Sequence, residues 1–94
     1  MSKVSIRTET EGANFWSYEV RVRDNGQSYD YNVTLSWSDY DFWSHGRVAP
    51  ELVVRAAFEF LLVKESPTTI LPKFDCSRIR RVFPDVDQEL PNML

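Results

Sequence analysis

The most strongly patterned stretch of the chain is 49–63, APELVVRAAFEFLLV, in which eleven of the fifteen residues are apolar. Its only charged residues, Glu51, Arg55 and Glu59, recur every four residues, so on a helix they form one narrow stripe and can pair with one another. Pro50 suits the first turn of such a helix. Because a helix that is apolar almost all round must be covered, the pattern predicts a long helix whose charged stripe alone faces water.

Alternating residues on both sides of Asn25 and Gly26 predict a β-hairpin. Asn-Gly favours a two-residue type I′ turn, because both central positions need a positive φ. With that turn, Asp24 pairs with Gln27, and one face of the hairpin is apolar or aromatic throughout. The pairs on this face are Trp16 with Leu35, Tyr18 with Val33, Val20 with Tyr31, and Val22 with Tyr29. A slip of one residue would move every side chain to the opposite face, so this agreement supports the register.

Two N-cap signals downstream of the long helix predict two short helices. Ser66, followed by a proline, predicts a helix of one or two turns around 70–71. Asp75 predicts a second short helix over 76–83, which Pro84 ends.

These elements together predict an α+β fold. Val4, Ile6 and Thr8 alternate with polar residues and indicate an edge strand before the hairpin. We therefore expect an N-terminal antiparallel sheet of about three strands, packed by one long and two short C-terminal helices. Residues 1–84 would form a single domain, and the acidic residues 85–94 a loosely attached, flexible tail.

Composition and charge narrow the class of protein further. Hydrophobic residues make up 43% of the 94 residues and aromatic residues 14%, which is typical of a packed domain rather than a disordered segment. The net charge of −3 disfavours nucleic acid and anionic membranes as partners. A single cysteine cannot form an intramolecular disulfide, and no apolar stretch matches a signal or membrane-spanning segment, so we expect a cytoplasmic protein.

The helical half carries a residue pattern that resembles a known family. Its residues are Phe58, Glu59, Phe60, Leu61, Leu62, Lys64, Glu65, Ile70, Leu71, Phe74, Asp75, Ile79, Phe83 and Pro84. They resemble the C-terminal signature of a family of small, functionally uncharacterised bacterial proteins, a resemblance that covers about a third of the chain and implies no activity. A looser similarity is to the HicB-type antitoxin domain, in which a hairpin precedes a glycine and an amphipathic helix, as Gly46 precedes the helix from Pro50 here.

The segment 37–45, WSDYDFWSH, is the densest candidate for a binding site. Its aromatic, acidic and imidazole side chains are Trp37, Asp39, Tyr40, Asp41, Phe42, Trp43 and His45. As a loop between strand and helix, it could form a pocket for a small ligand or serve a minor enzyme. Alternatively, its aromatic residues plug the open end of the core and its acids stay solvated.

Groups with catalytic or metal-binding chemistry are sparse. The spacing of Asp39, Asp41 and His45 matches no calcium or zinc loop, so we expect no metal site. His45 as a general base would need a positioned partner, and Cys76 could be either a reactive thiol at a helix start or a small buried residue. We therefore assign no catalytic residue and expect no cofactor.

A basic cluster stands out in the acidic chain. It comprises Lys73, Arg78, Arg80 and Arg81. These cations could bind nucleic acid or an acidic protein, or they could pair with the neighbouring Asp75, Asp85 and Asp87.

The function that these observations favour is a non-enzymatic protein-interaction or regulatory module. Its partner would be a second copy of the chain or a regulatory protein, because the apolar content of the long helix and of 37–45 is high for so short a chain. The alternatives are a small-ligand site at 37–45 and nucleic-acid binding through Arg78, Arg80 and Arg81.

Overall fold

A computed structural model describes residues 2–94, which form a four-stranded sheet and several helices. The elements are β1 (Lys3–Glu11), β2 (Phe15–Asp24), β3 (Gln27–Ser36), α1 (Trp37–Ser44), α2 (Pro50–Lys64), β4 (Lys73–Asp75), α3 (Ser77–Val82), α4 (Val86–Glu89) and a final 3-10 turn (Leu90–Met93). The strand order is β1-β2-β3-β4, with β4 parallel to β3 and the other pairs antiparallel. The predicted α+β class is confirmed, and the sheet has one strand more than expected.

The hairpin of β2 and β3 has the predicted register. All ten residues of β2 pair with β3, ending with Asp24 opposite Gln27. Asn25 and Gly26 have φ values of 52° and 79°, as a type I′ turn requires. The apolar face that this register creates lies against α2.

A bulge in β1 changes which of its residues face the core. The register with β2 shifts between Ile6 and Thr8, so one extra residue of β1 stands there. The predicted alternation therefore ends at Ile6, and Glu9 instead of Thr8 lies opposite Tyr18. The Tyr18 hydroxyl donates a hydrogen bond of 2.6 Å to the Glu9 carboxylate.

The helix α2 spans the predicted residues and is buried on most sides. Its buried residues are Val53, Val54, Ala56, Ala57, Phe58, Phe60 and Leu61. The Phe58 ring lies 5.2 Å from that of Tyr31 on the sheet and 5.9 Å from that of Phe74. On another side, the Phe60 ring lies 6.2 Å from that of Phe83. Of the helices in residues 2–94, none has the length and apolar character needed to cross a bilayer.

Arg55 closes part of the open edge of β1. Glu51, Arg55 and Glu59 are exposed as predicted, but Leu52 and Val63 are exposed too, so the charged stripe is not alone in facing water. The described residues include no ion pair among the three charged residues. Instead, Arg55 Nη1 donates a hydrogen bond of 2.9 Å to the carbonyl oxygen of Val4. Because Val22 bonds to β3, its partner Val4 directs this carbonyl away from the sheet. The guanidinium therefore covers an edge acceptor, which discourages pairing with another strand.

The short helix predicted around 70–71 is absent. A turn closed by a 3.1 Å hydrogen bond from the Thr69 N–H to the Ser66 carbonyl stands there instead. The chain then runs beside β3, where the Asn32 N–H donates to the carbonyl of Pro72 over 2.8 Å. Pairing with the sheet thus replaces a second turn of helix.

The next helix is close to the prediction. The predicted N-cap, Asp75, lies one residue too early: the N-cap is Cys76, whose side chain makes no capping hydrogen bond. The Asp75 carboxylate still accepts a hydrogen bond of 3.0 Å from the Ser77 N–H at the start of the helix. The helix α3 occupies Ser77–Val82, slightly shorter than the predicted 76–83.

The C-terminal residues are packed rather than loosely attached. The sequence predicts a flexible acidic tail over 85–94, whereas these residues form α4 and the final turn. Val86 and Leu90 lie one helical turn apart and are both completely buried. These two apolar side chains anchor the segment to the core. The acidic composition of 85–94 gives no indication of this in the sequence.

The role of the C-terminal segment can be tested by truncating its buried anchor. We expect Leu90→Ala to lower the free energy of unfolding by about 2–5 kcal/mol, because it leaves a cavity in a closed core. Met93→Ala, in the same turn but 42% exposed, is the matched control and should cost under about 1 kcal/mol. Urea denaturation followed by tryptophan fluorescence measures both. Equal stabilities of the two variants would contradict the packed segment.

Candidate functional site

The candidate segment 37–45 is a helix and not the loop that the sequence suggested. Ser36 is its N-cap, with Oγ accepting a 3.0 Å hydrogen bond from the Asp39 N–H. His45 ends the helix in the left-handed conformation, and its N–H donates to the Asp41 carbonyl over 2.8 Å. In the sequence, the alternation of strand β3 continues up to Ser36. For this reason Ser36 is not recognised there as the N-cap of a helix.

The helix α1 distributes the candidate residues over different sides. Four of them are exposed: Trp37, Asp41, Phe42 and His45. Trp43 and Asp39 are buried. Tyr40 is half-buried, and its hydroxyl donates a 2.5 Å hydrogen bond to the carbonyl of Val48. The residues therefore do not converge on one pocket.

The buried side of α1 belongs to an ionic cluster that joins three helices. Arg80 of α3 donates from Nε to both carboxylate oxygens of Asp87 in α4, over 2.9 and 3.2 Å. Its Nη1 donates to the Asp39 carboxylate over 3.2 Å, and Trp43 Nε1 donates to Asp87 over 2.9 Å. The Phe42 ring packs on the guanidinium, 4.5 Å from Cζ. These bonds, above all those to Asp87, raise the pKa of Arg80.

The cluster divides the predicted basic patch into two parts. Arg80 is neutralised by two carboxylates, so it is not available to an external anion. Asp85 instead pairs with Lys64 over 2.7 Å, and this contact raises the pKa of Lys64 and lowers that of Asp85. The rest of the patch is exposed and forms no ion pair within residues 2–94: Lys73, Arg78 and Arg81.

An open cleft of about 200 Å³ lies between the end of α2, β4 and α3. Most of its wall is apolar and includes Leu61, Ile70, Leu71, Phe74, Ile79 and Val82. Leu71 and Val82 are 44% and 48% exposed, which is high for aliphatic side chains beside a core. Arg78 and Glu65 also line the cleft, and the Glu65 carboxylate accepts a 2.8 Å hydrogen bond from the Thr69 hydroxyl.

Sequence reasoning missed this cleft. The apolar positions of α3 and of the segment before β4 indicate only that these elements pack against a core, and several of them do so. The gap between α2, β4 and α3 arises from the position in which α3 packs. The local periodicity of the sequence contains no information on that position.

The groups with nucleophilic or acid–base chemistry have separate environments. His45 is exposed at the end of α1, and the Asp39 carboxylate is paired with Arg80. Cys76 is buried, and this burial raises the pKa of its thiol well above the ordinary value. No group of three or more His, Cys, Asp or Glu residues in the described part of the chain could hold a metal ion.

Comparisons with known proteins place no constraint on the site. No protein-family model, curated protein or solved structure gives a significant match to the chain. The resemblance of 56–86 to a bacterial family therefore stays a prediction.

The structural role of Arg80 can be tested by neutralising it. Arg80→Gln leaves the buried Asp39 carboxylate without a cation, so we expect a loss of about 2 kcal/mol in the free energy of unfolding. The loss is below that of a fully buried pair because the Arg80 side chain is 36% exposed. Arg81→Gln, an exposed neighbour without an ion pair, should change stability by under about 0.5 kcal/mol. If both variants unfold at the same urea concentration, the cluster has no structural role.

The environment of Cys76 predicts a thiol that reacts only on unfolding. A chromogenic disulfide reagent should modify native protein slowly, since the thiol is both inaccessible and protonated. In denaturing urea the same protein should release one equivalent at once, because the chain contains one cysteine. Rapid stoichiometric modification of the native protein would instead indicate a reactive thiol.

Proposed function

We propose that this domain is a non-enzymatic protein-interaction module. The observation that carries the proposal is the open apolar cleft with Leu71 and Val82 at its mouth. Exposed apolar surface of this kind, rimmed by polar residues, is typical of a surface that another polypeptide covers.

The dimensions of the cleft favour a side chain over a free ligand. Pockets for small molecules usually have volumes of roughly 300–1,000 Å³ and enclose most of the ligand. A volume of about 200 Å³ that is open to solvent suits one or two apolar side chains of a partner protein. The cleft therefore supports association rather than storage of a metabolite.

The environments of the chemically active groups also favour association over catalysis. A general base or nucleophile needs a second group within hydrogen-bonding reach of the reacting atoms. His45 is exposed, Cys76 is buried and Asp39 is held by Arg80, so these groups do not form such an arrangement. Buried, unpaired Cys76 also fits the reducing conditions of a cytoplasmic protein.

A second surface favours self-association as an alternative mode. The helix α1 leaves Trp37 and Phe42 47% and 48% exposed. The Phe42 ring packs on the Arg80 guanidinium of the ionic cluster, so the cluster holds this exposed ring in place. Exposed aromatic anchors of this kind are common in protein interfaces.

The proposal predicts that a polypeptide contacts the cleft in the cell. A photoreactive phenylalanine analogue in place of Val82 should cross-link to protein when the chain is expressed in its native host. The same analogue at Arg23, exposed on the polar face of the sheet, should not. Adding Leu71→Asp should abolish the product from position 82, because it places a charge at the mouth of the cleft.

Light scattering after size exclusion separates the two modes of association. A mass of about twice 11.0 kDa that falls on dilution, and that is lost in Trp37→Ala/Phe42→Ala, would indicate a homodimer through α1. A monomer at every concentration excludes the homodimer and leaves the partner protein. A monomer that also cross-links no better from position 82 than from position 23 would contradict the proposed function.

A further inference from the structure

Within residues 2–94, the outer edge of β4 has no strand partner, and the apolar cleft lies beside it. The strand β4 is last in the sheet, and its inner edge bonds to β3. The Asn32 N–H donates to the Pro72 carbonyl, and the Cys76 N–H donates to the Thr34 carbonyl, each over 2.8 Å. In a parallel pair, alternate residues bond to the same neighbour, so Pro72, Phe74 and Cys76 face β3.

It follows that Lys73 and Asp75 direct their backbone N–H and C=O groups to the open edge. No turn or loop in residues 2–94 donates a backbone hydrogen bond to these groups or accepts one from them. The other end of the sheet is different, because β1 is bulged and Arg55 covers its Val4 carbonyl. Edges that are bulged or covered resist a further strand. The strand β4 is short and carries Lys73 and Asp75, but its outer groups are not covered within residues 2–94, so a further strand has two residues to pair with.

The charge around β4 points to an acidic occupant. Lys73, Arg78 and Arg81 are exposed and have no ion pair in the described part of the chain, although the chain as a whole carries a charge of −3. Arg78 and Glu65 both line the cleft, and the hydrogen bond from Thr69 leaves the negative charge of Glu65 in place. An anionic group is therefore attracted to the guanidinium of Arg78 and kept away from Glu65.

We propose that the edge of β4 and the adjoining cleft bind an extended acidic segment of a partner protein. The segment adds as a fifth strand beside β4 and inserts an apolar side chain between Leu71 and Val82. An Asp or Glu two residues away points to the same face and pairs with Arg78, because side chains alternate along a strand. This inference rests on the proposed function and specifies the chemistry of its partner.

A second copy of the chain and a nucleic acid fit this surface less well. Pairing of two copies through β4 would bring Lys73, Arg78 and Arg81 of both chains together. These positive charges would repel one another. Three free cations neutralise few phosphates, and the mouth of the cleft is formed by Leu71 and Val82, which cannot stack on bases as aromatic side chains do.

Selection from a display library of linear twelve-residue peptides tests the inference on the full chain. We expect enriched peptides to share an apolar residue with Asp or Glu two positions away. In a fluorescence anisotropy titration with one synthetic peptide of this pattern, Val82→Asp and Arg78→Glu should each weaken binding by about tenfold or more. The matched controls Val63→Asp and Arg23→Glu, both at exposed positions away from the cleft, should bind as the parent chain does.

Hydrogen exchange identifies the edge that the peptide uses. Bound peptide should slow exchange of the Lys73 and Asp75 amides and leave the Ile6 and Glu9 amides of β1 unchanged. Peptides that protect β1 or α1 instead would overturn this inference and leave the proposed interaction function standing. Failure to select any peptide would also overturn it. So would binding of an oligothymidylate that requires Arg78 and Arg81 but is unaffected by Val82→Asp.

Discussion

The need to bury α2 determines most of the architecture. Seven of its fifteen residues are buried, and they are spread around so much of the helix that a single layer cannot cover them. The apolar face of the hairpin covers one side, where the rings of Phe58 and Tyr31 meet. The chain must then return past the helix, and β4, α3 and the C-terminal turn enclose it further, with Phe83 against Phe60. The cleft marks one place where this enclosure is incomplete.

The ionic cluster explains why the segment 37–45, the densest candidate for a binding site, uses the side chains on one side to hold the fold together. Asp39 and Trp43 have the appearance of site residues in the sequence, yet both bond within the cluster around Arg80 and Asp87. Within residues 2–94 no buried side-chain nitrogen or oxygen lacks a hydrogen-bond partner. A fully bonded network of this kind holds α1, α3 and α4 in one arrangement and leaves little capacity to bind a ligand.

The two edges of the sheet differ in how many of their backbone groups stay free. At β1 a bulge and the guanidinium of Arg55 remove the regular row of free backbone groups. At β4 that row stays free, beside apolar side chains and unpaired cations. This difference is the basis of the proposal that an extended segment binds at β4 and not at β1.

Local patterns in the sequence determined the hairpin, its register and the long helix. The Asn25–Gly26 turn and the alternating strands specify one pairing, and the spacing of apolar residues specifies α2, because both signals depend on near neighbours only. Tertiary structure alone decided that β4 joins β3, that Val86 and Leu90 anchor the C-terminus, and that Arg80 pairs with Asp39. Each of these contacts joins residues far apart in the chain, so its free energy depends on packing geometry that no local pattern contains.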